Sequence, residues 1–178
     1  MNLYLRFFIM IITSLFKKKT SILDTCRTQH RVWPNDCDIF GHMNNGRYFA
    51  VTDLVRSEML IRAGILSTLR SQKIFPVMTG ETIQFRKSLL PLQKYEIISR
   101  MSGWDDRDFY IEHQFMAGGE LRALVLVRIR VVGNNGIRVT PVDILRSVES
   151  NEIEDMNMNE VIERWNDSSR MHWSENIQ

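Results

Sequence analysis

The sequence predicts an α+β domain in which an antiparallel sheet wraps around one long central helix. Three observations carry that prediction. Tyr48, Val51, Val55 and Met59 recur at gaps of three, four and four, with Leu54 beside them, which is one face of a helix. Beyond Pro76 the period changes to two, in runs near 79–85, 95–101, 109–115 and 121–131. Turn formers separate these runs, "GWDDRD" at 103–108 and "AGGE" at 117–120, and the paired glycines of the second signal a tight hairpin. One long helix followed by antiparallel strands gives two layers around a single core.

Taken in order, residues 25–33 read as a first strand that Pro34 and Asn35 end. Asp36–Gly46 is a loop dense in turn formers, with Asn44 or Asn45 as the cap of the central helix. Gly64 suits the left-handed residue that closes the helix, and a short second helix fits 66–70. In the last long strand Leu121, Ala123, Val125, Val127, Ile129 and Val131 face the core. Arg122, Arg128 and Arg130 lie opposite, with Leu124 and Leu126 between them, so that face meets solvent at its ends and something apolar in its middle. A long edge strand over 120–132 would need a partner, hence the expectation of a homodimer or a dimer of dimers. "GNNG" at 133–136 leads to a short strand near 137–140, and 141–148 has room for one helical turn. The domain division is 1–20, an apolar N-terminal helix; 21–148, the α+β domain; and 149–178, a polar tail with a surface helix of two or three turns around Val161, Ile162 and Trp165.

Composition narrows the function. The chain has 178 residues, 44% hydrophobic and 25% charged, which suits one folded domain. A net charge of +2, with Lys and Arg spread along the chain, argues against nucleic acid as a partner. Cys26 and Cys37 make no disulfide framework and read as reduced thiols in a cytosolic compartment. Cys37 stands between two aspartates, which discourages a thiolate nucleophile. The four histidines are scattered and the cysteines lack zinc spacing, so no metal is expected. Phosphate-binding glycine loops and a G-x-S-x-G elbow are absent from the sequence.

Leu3–Phe16 is strongly apolar, interrupted by Arg6, Thr13 and Ser14, and runs into Lys17–Lys19. As a helix it reaches about 21 Å, short of the roughly 30 Å hydrocarbon core. Contact with a membrane surface, monotopic or as a short span, is the leading expectation, the lysines keeping a cytoplasmic domain on their own side. Packing on its own domain or on a partner is one alternative, and a disordered or misannotated start is the other.

The loop "NDCDIFGHMNNGRYF" at 35–49 concentrates the reactive groups. Without further context Asp38 reads as a turn carboxylate. The pattern D-x-D-x-x-G-H-M-N-N-x-x-Y, carried by Asp36, Asp38, Gly41, His42, Met43, Asn44, Asn45 and Tyr48, resembles hotdog-fold thioesterases of the 4-hydroxybenzoyl-CoA thioesterase-like branch. "GWDDRDFYIEHQF" at 103–115 is similar to the thioesterase superfamily member six-like proteins, which also carry an apolar N-terminus. The resemblance covers about residues 25–148. It implies an acyl-CoA or acyl-carrier-protein thioester as substrate and a site at a dimer interface. It implies no cofactor beyond the coenzyme A of the substrate. It places the chemistry on Asp38, as nucleophile or as base for water, and gives Glu58 as the positional candidate for a helix-borne acid.

The residues agree with that chemistry. Thioester hydrolysis needs an attacking oxygen and donors for the oxyanion. Asp38 supplies the first, and free N–H groups where Asn45–Gly46–Arg47 begins the helix supply the second. Gly41 and Gly46 would permit tight turns or close approach of backbone to substrate. Asn44 caps or binds, His42 organises the loop or acts as a base, and Tyr48 lines an acyl pocket or simply belongs to the apolar face. Asp36 is given a structural role, and His113, alternating with Phe109 and Phe115, reads as a buried hydrogen-bonded histidine. Cations near 86–87 and 128–130 are candidates for coenzyme A phosphates or plain solvated charge. The competing function is a non-catalytic acyl-ligand binder or membrane-associated scaffold.

Overall fold

The computed structural model describes residues 3–133, 139–149, 158 and 160–175, the last six of these by backbone only. Five helices and five strands follow in the order α1 (Leu3–Phe16), β1 (Cys26–Arg31), α2 (Asn45–Arg62), α3 (Ile65–Gln72), β2 (Ile74–Phe85), β3 (Lys94–Trp104), β4 (Asp108–Ala117), β5 (Glu120–Gly133), α4 (Pro141–Val148) and α5 (Glu160–Glu175). All strands are antiparallel and lie side by side as β1-β3-β4-β5-β2.

The sheet wraps one face around α2, as expected. Tyr48, Val51, Val55 and Met59 are buried there against Ile97, Phe115, Val125 and Val127. Gly64 takes a left-handed φ of 72° just beyond the Ala63 cap, which stops α2 and starts α3. Gly118 and Gly119, at φ 61° and 78°, make the β4–β5 turn, where Arg122 donates from Nε and Nη2 to the Ala117 carbonyl.

Several local expectations change. The β5 strand is interior, not an edge, because β4 pairs with one side of it and β2 returns to take the other. The second strand starts at Ile74, five residues before the alternation is visible, and it accommodates Pro76 because β2 is an edge. Residues 137 and 138 of the expected short strand lie outside the described residues, and Val139–Thr140 are not in a strand. Helix α4 has two turns, opened by a capping box of Thr140 and Asp143. Helix α5 has sixteen residues and is docked, not loose.

That docking explains the mixed face of β5. Ile162 packs with Tyr110 and Leu126 on the outer side of the sheet, and Trp165 meets the Tyr110 ring edge-on. Arg128 lies over Trp165, its carbon 5.6 Å from the ring centroid, and donates to Asn166 Oδ1 at 2.7 Å and Ser169 Oγ at 2.9 Å. Arg130 forks onto Asp108 with two bonds of 2.8 Å. Both arginines are thereby committed to the fold.

His113 is fully buried in the core, with Nδ1 2.7 Å from Ser99 Oγ and, among the described residues, no hydrogen-bond partner at Nε2. Burial, with Arg56 nearby, holds its pKa down at about 3. The unfolded chain takes up a proton near pH 6.5, whereas the folded chain resists until about pH 3. Stability should therefore fall as pH drops below 6.5, by about 2 kcal/mol at about pH 5 from this residue. Urea denaturation at neutral and acid pH, beside His113→Gln, checks it: the variant should lose this part of the acid sensitivity.

Candidate active site

The loop from Val32 to Asn44 is stitched to the domain by backbone bonds. The Val32 N–H donates to the Gln93 carbonyl and the Met43 N–H to the Leu89 carbonyl, both at 2.9 Å. Pro34–Asp36 forms a single 3-10 turn, after which Cys37 bridges Met43 and the Asp38 N–H donates to the His42 carbonyl at 2.9 Å. The result is a short hairpin with Ile39, Phe40 and Gly41 at its tip. Gly41 has φ +74°, which a side chain would oppose.

Asp38 folds back over this tip. Its Oδ1 accepts the Phe40 N–H at 2.9 Å and the His42 N–H at 3.4 Å, an Asx turn. Its Oδ2 makes no hydrogen bond among the described residues, and the side chain is half-buried. The His42 imidazole is half-buried and likewise has no hydrogen bond among them. Burial, then Asp36 and Asp38, push the Cys37 thiol up, in keeping with an unreactive cysteine.

Asn44 is the cap of α2: its Oδ1 accepts the Gly46 N–H at 3.0 Å and its carbonyl accepts the Arg47 N–H at 2.9 Å. The Asn45 N–H, the first of the helix, has no acceptor among the described residues, and its side chain is exposed. A shallow polar depression opens beside it, lined by Asn35, Asp36, Cys37, Asn44, Gly46 and Arg47.

Asp38, Gly41 and His42 thus share the hairpin, and Asn44, Asn45 and Gly46 form the start of α2 that follows it, where the depression is lined by Asn44 and Gly46 and by none of the three hairpin residues. Two predicted residues sit elsewhere. Tyr48 is 2% exposed, with its ring between Phe85 and Phe115. Glu58 lies thirteen residues along α2 from Asn45, roughly 20 Å by helical rise. It pairs with Lys17 of the segment after α1 at 2.7 Å and with Arg62 at 3.5 Å.

Sequence reasoning missed what holds Asp36. That carboxylate is 2% exposed and takes Arg6 of α1 at 2.5 Å and the Trp33 N–H at 2.9 Å on Oδ2, with Arg47 3.9 Å from Oδ1. Its carbonyl accepts the Asn44 N–H at 2.8 Å. Arg6, the lone charge in an apolar run, was the one available signal. An apolar cavity lies towards the far end of α2, between Met59, Leu60, Leu69, Ile111 and Leu145, and Asp38 is not among its lining residues.

A sheet wrapped around a helix, with a capped helix start and a carboxylate loop before it, defines a class, and comparison with known proteins agrees. The family model of the Thioesterase-like superfamily matches residues 32–172, and the chain belongs to that family. Among curated relatives, protein THEM6 of Xenopus laevis is 36% identical over 142 residues, 78% of this chain and 67% of its own length. Protein THEM6 of Danio rerio is 31% identical, over 76% of this chain and 65% of its own length. The chain thus spans about two thirds of these relatives. Among solved structures, the YbaW probable thioesterase of Escherichia coli superposes with a TM-score of 0.64 at 18% identity, over 68% of this chain and 93% of that one. A 1,4-dihydroxy-2-naphthoyl-CoA thioesterase of Synechocystis gives 0.62 at 8% identity, over 70% and 95%. The fold is the hotdog fold.

Proposed function

We propose that the protein hydrolyses an acyl-CoA thioester to a free acid and a thiol. The observation that carries this is a loop and the helix start that follows it: a carboxylate whose second oxygen has no hydrogen bond, and an N–H opening α2 that has no acceptor, among the described residues. Asp38 Oδ2 takes a proton from water while the resulting hydroxide adds to the carbonyl carbon. The oxyanion forms against the Asn45 N–H at the positive end of α2. The C–S bond then breaks, and the leaving thiolate receives the proton that Asp38 took. Direct attack by Asp38, through a mixed anhydride that water later opens, is the variant of the same assignment. The reaction needs no cofactor beyond the coenzyme A of the substrate, and a carrier-protein thioester is the close alternative substrate.

Arg86 and Lys87 are exposed cations that we assign to coenzyme A phosphates. They stand just before Leu89, whose carbonyl holds Met43 in the loop, and Lys87 shares an exposed pair with Glu120 at 3.0 Å. That Asp38 does not line the apolar cavity favours the second reading, an acyl-ligand binder without turnover. Release of free thiol from short, long and aromatic acyl-CoAs, for wild type beside Asp38→Asn, decides between them. Equal rates would move the chemistry to His42, and binding without turnover would favour the second reading.

The working unit we assign is a homodimer joined along β2. Both outer strands have an open edge, but they differ in chemistry. Strand β1 is six residues long and presents Arg27, Gln29 and Arg31 to solvent, which discourages pairing. Strand β2 is twelve residues long, with Phe75, Val77, Met78 and Phe85 exposed. Phe75→Arg with Val77→Arg should convert the dimer to a monomer in light scattering, with the circular dichroism unchanged.

A further inference from the structure

Helix α1 is amphipathic the wrong way round for a helix packed on a water-soluble domain. Its buried positions recur every fourth residue as Arg6, Met10 and Ser14, two of them polar. Its outward positions are apolar except Thr13: Phe8 is 60% exposed, Leu15 69% and Phe16 86%, with Leu5, Phe7 and Ile12 also open. A helix facing water inverts this pattern. The polar stripe is paired inward, since Arg6 donates from Nη2 to buried Asp36, with Nε left without a partner among the described residues, Ser14 donates to the Met10 carbonyl at 2.6 Å, and Lys17 beyond the helix pairs with Glu58. Lys18 and Lys19 follow in exposed positions.

We infer that α1 is an in-plane anchor that lays the domain on an anionic lipid bilayer. Its outward face enters the headgroup–acyl boundary, and Lys18 and Lys19 meet lipid phosphates and carboxylates. The Arg6–Asp36 and Lys17–Glu58 pairs tie the helix and the segment after it to the domain, so crossing the bilayer would require breaking both, leaving buried Asp36 with only Arg47 at 3.9 Å and buried Glu58 with only Arg62 at 3.5 Å. No helix among the described residues is long and apolar enough to cross a membrane. Lipid is the occupant favoured over a second copy or a partner protein because an aromatic and aliphatic face ending in lysines matches the layered chemistry of a bilayer surface. Arg6 ties this face to the loop of Asp38, which sets the site at the lipid surface. The membrane assignment stands whether or not the protein turns over thioesters.

The test is flotation of the full chain with phosphatidylcholine vesicles, with and without phosphatidylserine. The wild type should float with the anionic vesicles and be released by alkaline carbonate, as a surface helix is and a span is not. Lys18→Glu with Lys19→Glu should weaken binding to anionic vesicles roughly ten- to thirty-fold. Phe8→Glu with Leu15→Glu, both exposed and so neutral to the fold, should abolish flotation with the thermal melt unchanged. Failure of the wild type to float, or resistance to carbonate, overturns the proposal. So does a Phe8→Glu/Leu15→Glu variant that changes oligomeric state and leaves flotation intact. Thiol release from a water-soluble short-chain acyl-CoA, measured on the same variants, keeps failure of the anchor separate from failure of the reaction.

Discussion

Asp38→Asn is expected to lower kcat for acyl-CoA hydrolysis by ~10²–10⁴, the range that a positioned proton acceptor supplies. The structural reason to choose asparagine is the Asx turn. The Asn side-chain oxygen accepts the Phe40 and His42 N–H groups as Asp38 Oδ1 does, so the hairpin keeps its shape. What changes is the second atom, Oδ2, which turns from a proton acceptor into an amide donor. The KM should move little, because none of the loop's backbone bonds is lost. Free-thiol release gives the rate and a thermal melt gives the fold. A melt that drops sharply would show Asp38 to be structural, and a rate within threefold of wild type would remove it from the chemistry.

The largest stability effect is expected at Arg6. Asp36 is 2% exposed and Arg6 8%, so the pair is shut away from water. Arg6→Met keeps the packing of the aliphatic stem and leaves a buried carboxylate without its close cation, with only Arg47 at 3.9 Å remaining, which costs up to about 3–5 kcal/mol. In a chain of this size that is a fall in Tm of roughly 6–20 °C. Adding Asp36→Asn should return part of the loss, since the amide oxygen still accepts the Trp33 N–H and no unpaired charge remains. Urea denaturation of the two single variants and the double variant measures the coupling. A coupling below about 1 kcal/mol would make the pair an exposed-type contact of little weight. Activity should fall with Arg6→Met as well, because Asp36 also holds the Asn44 N–H that fixes the start of α2.

How far the sequence went follows from which features are local. The phase of Tyr48, Val51, Val55 and Met59 fixed α2, and Gly64 fixed its end, because both depend on neighbours within a few residues. The two glycines at 118–119 and the alternation from Leu121 to Val131 gave the β4–β5 hairpin for the same reason. Of the site, the loop and the cap were legible and the partners were not. Arg6 and Asp36 are thirty residues apart, and Lys17 and Glu58 forty-one. No periodicity links such pairs; the docking of α1 on α2 does. Helical phase alone could not say that Glu58 faces α1 and not the Asp38 loop. The interior place of β5 was hidden likewise, since it is set by β2 returning from the far side of the helix. The outward apolar face of α1 is the reverse case: the composition was plain, and only the fold shows that the polar residues are the ones turned inward.

The C-terminal helix has a further consequence for quaternary structure. By lying on Tyr110, Leu126 and Arg128, α5 takes the outer surface of the sheet for the chain's own use. Two sheets cannot then stack back to back through that patch. The charged residues of β1 guard one flank, which leaves β2 as the direction of growth. Each copy brings one such edge, and two antiparallel edges joined about a two-fold axis consume both. In the dimer proposed above, the tail thereby acts as a cap on stoichiometry, and such an assembly would be complete at two.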